Sequence, residues 1–487
     1  MSGWDSGRLE KTLGDIVGPG GLVADLVQRR TYECDGLTGT RVTPGLVVLP
    51  RTTAQVQAVV RACFEAGVPF VARGSGTGLS GGALPVADGV LIVLSRLCQI
   101  VETSLENGRV VVEPGVINLW VTEHVAPDGF YYAPDPSSGL VCSIGGNVAE
   151  NSGGAHCLKY GFTTNHVTGI DAVLADGSLL HAGGMAPDAP GYDLVGLLVG
   201  SEGTLGVAIG VTLRVLPRPE TVKTLLAAFA DTDDAGRAVS AIIAAGVLPA
   251  AVEMMDRLAI EAAEEAVHAG YPTQAGAALI VELDGPTIEV GAQFDDVVRF
   301  CRESGATGIR IAADDDERVL IWKGRKAAFA AMGRISPDYY VQDGVIPRTA
   351  LPQVLRRIAD LGAARGLRVA NVFHAGDGNL HPLVLYDNEI DGEAERAEDL
   401  AGEILLTCLA HGGSITGEHG VGADKKKYMP AMFSDDDLAM MNSLRCAFDP
   451  TGLCNPGKVL PTPRLCGEVP GPYRQHPLER AGLVERL

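Results

Sequence analysis

Apolar residues along the first half of the chain follow two periods. After Thr53, which stands as an N-cap, Val56, Val59, Val60, Cys63 and Phe64 form an i, i+3, i+4 stripe that predicts a helix ending at Gly67. The runs "VPFVAR", "GVLIVLSRL" and "GRVVVEPGV" are short, β-branched and bounded by glycine or proline, and they predict strands. "IDAVLADGSLLHAG" predicts a hairpin with Asp176-Gly177 at its turn. From Thr221 the texture changes. Strands "TVKTLLAAFA", "AAVEMM" and "AALIVELDG" alternate with amphipathic helices at about 233–246, 257–268 and 289–304, which predicts an α+β layer with helices on one face of a sheet. A further helix is expected near 393–411.

Between these elements, "LRVANVFHA" and "NLHPLVLYD" are rich in strand formers and flank Asp377-Gly378, a two-residue hairpin turn. In that register Gly376 opposes Asn379, Ala375 opposes Leu380, and His374 opposes His381. Directly opposed residues have Cβ atoms roughly 4.5–5.5 Å apart on one face. Two imidazoles so placed can share a metal ion, but a glycine-aspartate hairpin carrying two polar residues has the same pattern, and only a third ligand decides between them.

Glycine clusters between residues 67 and 210. Gly76-x-Gly78-x-x-Gly81 matches the dinucleotide fingerprint and Gly78-x-Ser80-x-Gly82 the serine-hydrolase elbow, yet Ala83, Leu84 and Pro85 lead into another strand. Both motifs require a following helix, so both are rejected. Consecutive glycines still expose backbone N–H groups in a concave turn that binds phosphate. With "CSIGGNVAENSGG" (142–154) and "GSEGTLG" (200–206) there are three such segments, which predicts a long phosphate-bearing ligand across a glycine-lined groove.

Composition narrows the classes further. The 487 residues, 46% of them apolar, supply core for two or three domains. A formal charge of −21 argues against nucleic acid and anionic membrane surfaces as partners, and Lys425-Lys426-Lys427 reads as a solvated patch. Ten cysteines form no CxxC pair and read as reduced, mostly buried thiols. Neither an apolar leader nor an uninterrupted apolar stretch of about 18 residues occurs, so a cytoplasmic protein without an integral membrane segment is expected. The domain boundaries predicted are 1–220, 221–415 with the histidine hairpin, a C-terminal segment 416–461, and a loosely packed tail, 462–487.

Several strings taken in order, among them "RGSGTGLSGGALP", "YYAPDPSS", "CSIGGNVAENSGG", "WKGRKAAF", "VANVFHAGDGNLHP", "GEHGVG" and "FDPTGLCNPGK", resemble the vanillyl-alcohol oxidase and p-cresol methylhydroxylase flavoprotein superfamily. Within it they are similar to the family of bacterial glycolate oxidase flavin subunits, related to D-lactate and D-2-hydroxyglutarate dehydrogenases. The resemblance runs from about Tyr32 to Pro461. It implies a two-subdomain FAD-binding fold with an α+β substrate cap. Arg73, Gly74, Ser75, Gly76, Thr77, Gly78, Leu79 and Ser80 would then cradle the FAD pyrophosphate. Pro134, Ser143, Gly145, Gly146, Asn147, Ser152, Gly153, Gly154, Glu202, Gly203 and Gly206 would line the rest of the cofactor, and Asn455 would return to it. No histidine lies between residues 70 and 85, and relatives with the cysteine at Cys142 are expected to bind FAD noncovalently.

The resemblance also names the third ligand: Glu418 joins His374 and His381 on a divalent metal, zinc, iron or manganese. It implies that His419 is the base that takes a hydroxyl proton while hydride leaves for flavin N5, and that Arg325 grips the substrate carboxylate. Leu383 and Gln342 stand where relatives acting on D-2-hydroxyglutarate carry asparagine and lysine, so a short 2-hydroxy acid is expected, glycolate first and D-lactate next. Electrons would pass to an iron–sulfur subunit, with a companion flavin-fold subunit in the complex and the assembly at the inner membrane face. D-2-hydroxyglutarate oxidation, a flavin-free metal-dependent hydrolase and a noncatalytic flavin-fold scaffold are the competing readings.

Overall fold

The stripe from Val56 folds as the helix Thr53–Ala66, with Val56, Val59, Val60 and Cys63 buried. Its N-cap is one residue earlier than expected: Thr52 accepts a hydrogen bond from the Gln55 N–H at 3.2 Å. Gly67 closes it in the left-handed region, at φ +64°. The structure, a computed structural model, describes residues 6–187 and 190–461, so the tail expected at 462–487 lies outside the described residues.

This helix packs on a four-stranded sheet in the order Leu22–Val23, Leu46–Val48, Val90–Val93, Phe70–Arg73, the last three parallel. A second, antiparallel sheet follows in the order Ile100–Ser104, Arg109–Val112, Val207–Arg214, Val167–Val173, Leu179–Gly183. The hairpin in it pairs Val173 with Leu179 and Gly169 with Gly183, so its loop has an odd number of residues. Asp176-Gly177 is therefore part of a wider turn than the two-residue one predicted, with Gly177 at φ +81°.

Beyond Thr221, nine strands form one sheet around Thr221–Phe229, Ala277–Gly285, Ala251–Asp256 and Arg368–His374. Here the expectation of helices on one face is corrected. Leu279, Val281 and Leu283 pack under the helices Thr232–Ala244, Thr287–Glu303, Leu351–Arg365 and Glu393–Ala410. Their neighbours Ala278 and Ile280 face the helices Arg257–Val267 and Asp315–Ala331 on the other side. An unbroken apolar run such as "AALIV" signals burial of both faces, and that signal was in the sequence. The chain finally returns to the first sheet, where Asn455 N–H donates to the Phe70 carbonyl at 2.8 Å. Among the described residues eight cysteines are free thiols, six of them buried, whereas Cys446 is disulfide-bonded, contrary to the expectation of reduced thiols.

The two halves are clamped by buried charge. Glu282 accepts from Arg318 Nε at 2.8 Å and Nη2 at 2.9 Å, from Trp322 Nε1 and from the Thr224 hydroxyl, both at 2.6 Å. His156, from the other half, sits between Glu282 at 3.3 Å and Asp135 at 2.9 Å. Burial works to lower its pKa, but the two carboxylates outweigh burial and raise it to about 10. Because the folded value exceeds the unfolded one of roughly 6.5, the imidazolium's stabilisation is complete below about pH 6.5 and is lost as pH rises toward 10. His156→Gln should cost about 3 kcal/mol near pH 6. The gap between parent and variant, followed by urea unfolding, should close by about pH 10; a gap that stays constant with pH would remove His156 from the clamp.

Candidate active site

A cavity of about 400 Å³ runs between the halves. Its floor is backbone and small side chains from Arg73 to Leu79, Ser143, Gly145 to Asn147, Ser152, Gly153, Glu202, Gly203 and Gly206, all predicted cofactor residues. The glycines are there for space. A Cβ on Gly74 would stand 1.9 Å from Ser143 Oγ, and one on Gly145 2.6 Å from Pro114 Cβ. Gly76, at φ +71°, turns the first loop in the left-handed region. Ser80, Pro134, Gly154 and Asn455 lie behind this lining. Asn455 donates to the carbonyls of Gly82 at 2.8 Å and Glu202 at 2.6 Å, tying the returning C-terminal segment to two cofactor loops. The Arg73 side chain turns away from the cavity onto the carbonyls of Tyr32 and Cys34. The second glycine segment also contains a helix that sequence reasoning missed, Ile144–Glu150, capped by Ser143.

At one end of the cavity stand His381, Glu418 and His419. The predicted hairpin register is wrong by two residues. His374 opposes Asn379, and the line of pairs continues to Asn371 opposite Pro382, so Ala375 to Gly378 form a four-residue loop. His381 is therefore diagonal to His374. A shift of two preserves the face, and diagonal neighbours remain within reach of large side chains. Their rings meet edge-on at 5.1 Å. Nε2 of His374 and of His381 lie 3.2 and 3.0 Å from Glu418 Oε1.

Three donor atoms within 4.8 Å of one another, two imidazole nitrogens and a carboxylate oxygen, fit a divalent metal with positions left open. The surroundings fit as well. Glu253, directly opposite His374 on the neighbouring strand, takes its Nδ1–H at 2.7 Å and leaves Nε2 as the free lone pair. His381 Nδ1 is buried with no hydrogen-bond partner among the described residues, 3.9 Å from Asp343. Burial disfavours a charged His374, yet Glu253 and Glu418 on either side raise its pKa well above the ordinary value.

His419 stacks on His381 at 4.9 Å with the ring planes 13° apart. Burial lowers its pKa to about 4, Asp343 opposing and His381 and Lys425 assisting, so the imidazole is neutral at physiological pH. Asp343, which sequence reasoning missed, holds the turn that presents Glu418 and His419. It accepts N–H bonds from Gly417 at 3.0 Å, Glu418 at 3.1 Å and His419 at 2.8 Å, and the Thr416 hydroxyl at 2.6 Å. Lys425 Nζ, 3.3 Å away and 1% exposed, completes the shell, which corrects the reading of Lys425 as part of a solvated patch, whereas Lys427 is exposed as expected.

Arg325 is not on the cavity wall. It is 3% exposed, with Nε 2.7 Å and Nη2 2.6 Å from Glu253 Oε2, and so stands behind His374. Its neighbour Lys326 lines the cavity, together with Phe329 and Tyr339, none of which was predicted. Leu383 and Gln342 are buried and do not reach it.

Comparison with known proteins agrees with this geometry. Residues 44–183 match the family described as "FAD binding domain", and residues 218–459 "FAD linked oxidases, C-terminal domain". The chain is 52% identical over 445 residues to "Glycolate oxidase subunit GlcD" of Escherichia coli, covering 91% of this chain and 89% of that one. It is 37% identical to the protein of the same name from Bacillus subtilis, covering 93% and 96%. To "Probable D-lactate dehydrogenase, mitochondrial" of Danio rerio it is 30% identical, covering 93% and 92%. Among solved structures, p-cresol methylhydroxylase with substrate bound superimposes with a TM-score of 0.79 at 17% identity, covering 94% of this chain and 98% of that one, a likeness of fold. The chain is an oxidoreductase of the FAD-linked oxidase family, built on the p-cresol methylhydroxylase type of FAD-binding fold.

Proposed function

We propose that the chain oxidises a short 2-hydroxy acid, glycolate first and D-lactate next, and passes the electrons to a partner. The observation that carries this is the neutral, buried His419 stacked on a His/His/Glu donor set at the end of a FAD-family cavity. Bound FAD supplies the hydride acceptor, held noncovalently, and a divalent metal at His374, His381 and Glu418 supplies a Lewis acid. The protein's own part is positional. His419 takes the hydroxyl proton as hydride departs from Cα. Phe329, whose ring meets His381 edge-on at 5.7 Å, and Tyr339 close the cavity around a small acid. Lys326 offers the cation that faces it, and Arg325 works through Glu253 on His374.

Glycolate is favoured because it is named for the relatives at 52% and 37% identity. Those names describe a subunit, which supports an assembly in which the electron acceptor is another polypeptide, expected to hold an iron–sulfur centre. No helix among the described residues is long and apolar enough to cross a membrane.

His374→Ala and His381→Ala should each lose bound metal and activity while retaining FAD, because the two ligand sets belong to different sheets. Metal analysis beside flavin absorbance checks this, and metal equal to the parent's would defeat the assignment. His419→Asn should keep both cofactors and slow anaerobic flavin reduction by roughly 10²–10⁴-fold, the usual worth of a positioned base. In the same stopped-flow assay the parent should reduce its flavin faster with glycolate or D-lactate than with D-2-hydroxyglutarate; the reverse order would refute the substrate assignment.

A further inference from the structure

Arg318, Arg325 and Lys326 project from the helix Asp315–Ala331, and each pairs with an acid. They differ in what each would leave behind on turning to a ligand. Arg318 makes two hydrogen bonds to Glu282, and Arg325 approaches Glu253 with two nitrogens at 2.7 and 2.6 Å. Both acids have side chains only 1% exposed, so departure of either arginine would strand a buried charge. Lys326 is held differently. Its side chain is 46% exposed, and Nζ lies 3.6 Å from Asp135 Oδ2, beyond hydrogen-bond length. An exposed pair of that kind is worth roughly 0–1 kcal/mol. The other oxygen of Asp135 stands 2.9 Å from His156 Nδ1, so Asp135 keeps a cation when Lys326 leaves.

The helix also aims this lysine. Lys326, Phe329 and Ala330 stand at i, i+3 and i+4, share one face and all line the cavity. Phe329 is the residue whose ring meets His381, so Lys326 stands one helical turn from the side chain that packs on a proposed metal ligand. Among the described residues the wall carries one other lysine or arginine, Arg73, and its guanidinium is turned onto backbone carbonyls. The remaining carboxylates of the wall, Glu150, Glu202 and Glu418, offer an anion nothing.

We propose that Lys326 is the specificity-determining residue of the substrate site: its ammonium leaves Asp135 and binds the carboxylate of the 2-hydroxy acid, so that the site selects an acid over an uncharged alcohol. Arg325, which the sequence resemblance assigns to that task, stays on Glu253 throughout. Asp135 is the positioning residue, a resting partner that holds the lysine when no acid is bound and is left paired with His156 when one is.

This assignment rests on the reading of the chain as a 2-hydroxy acid oxidoreductase, and anaerobic flavin reduction in a stopped-flow instrument separates the two. The full-length holoprotein should be compared with Lys326→Met and Lys326→Arg. Lys326→Met should retain parental FAD and metal, weaken the glycolate dissociation constant about tenfold, and keep the limiting rate of reduction within about threefold, the split expected from loss of one charged hydrogen bond to the ground state. Glycolamide, the uncharged isostere, should compete with glycolate equally well in both proteins. Lys326→Arg keeps a cation and should lie within about threefold of the parent for glycolate. Glycolate constants that agree within about twofold in the parent and Lys326→Met overturn the proposal, as does a Lys326→Met in which glycolamide weakens as much as glycolate. A parent flavin that no 2-hydroxy acid reduces overturns the underlying reading and this assignment with it.

Discussion

The segment from Thr416 to Lys425 is suspended between two buried carboxylates, and the site exists only while both hold it. Asp343, from the cap, gathers three consecutive N–H groups, a hydroxyl and a lysine. Glu202, from the flavin half, takes the N–H groups of Val421 and Gly422 just beyond Gly420. Hydrogen bonds to a charged acceptor are worth roughly 1.5–3 kcal/mol each, so the N–H groups on Asp343, whose carboxyl, despite burial, is held well below the usual range by His419, Lys425 and His381, anchor a short stretch that has no regular structure. Side chains on a strand alternate between faces, and Glu418 and His419 could not then both face the cavity. Converging N–H groups on Asp343 enforce the turn instead, and Gly420, at φ +82°, lets the chain leave it.

Because one carboxylate comes from each half, the ligand loop also reports on how the halves meet. Asn455 reinforces the same junction, since it joins Gly82 and Glu202 from a segment that has already paired with Phe70. The clamp of His156, Asp135 and Glu282 joins the halves a second time. The cofactor loops and the histidine–carboxylate cluster are thus fixed relative to each other by charge, with the apolar cores lying on either side.

Much of this was legible, and the reasons for the exceptions are physical. Element types beyond Thr221 followed from periodicity, as with Thr287–Glu303 for an expectation of 289–304. The histidine hairpin was found with its turn too tight, because Asp377-Gly378 is a strong local signal that tertiary contact overrides. Gly378 sits at φ +85° with Ile346 O only 2.1 Å from where a Cβ would be, so the loop is shaped by the strand beside it. Parity protected the conclusion: a slip of one residue would have put the imidazoles on opposite faces, whereas a slip of two did not. Asp343, Glu253 and the buried Lys425 were not legible. Each is a charged residue that pattern alone assigns to solvent, and only a partner distant in sequence, His374 for Glu253 and Thr416 to His419 for Asp343, makes its burial tolerable.

The same partners explain how a chain with a formal charge of −21 receives a cofactor that is itself an anion. Uniform attraction is unavailable, so the attraction has to be local. At the cofactor end it comes from backbone N–H groups in glycine loops, which carry partial positive charge without adding a titratable group. At the other end the fold does the opposite and concentrates acids: Glu253, Glu418 and Asp343 surround the two histidines. Arg325 neutralises the first and Lys425 the last, which leaves Glu418 as the carboxylate with no buried lysine or arginine of its own. That residual charge, placed between two neutralised supports, is one that a small cation would balance.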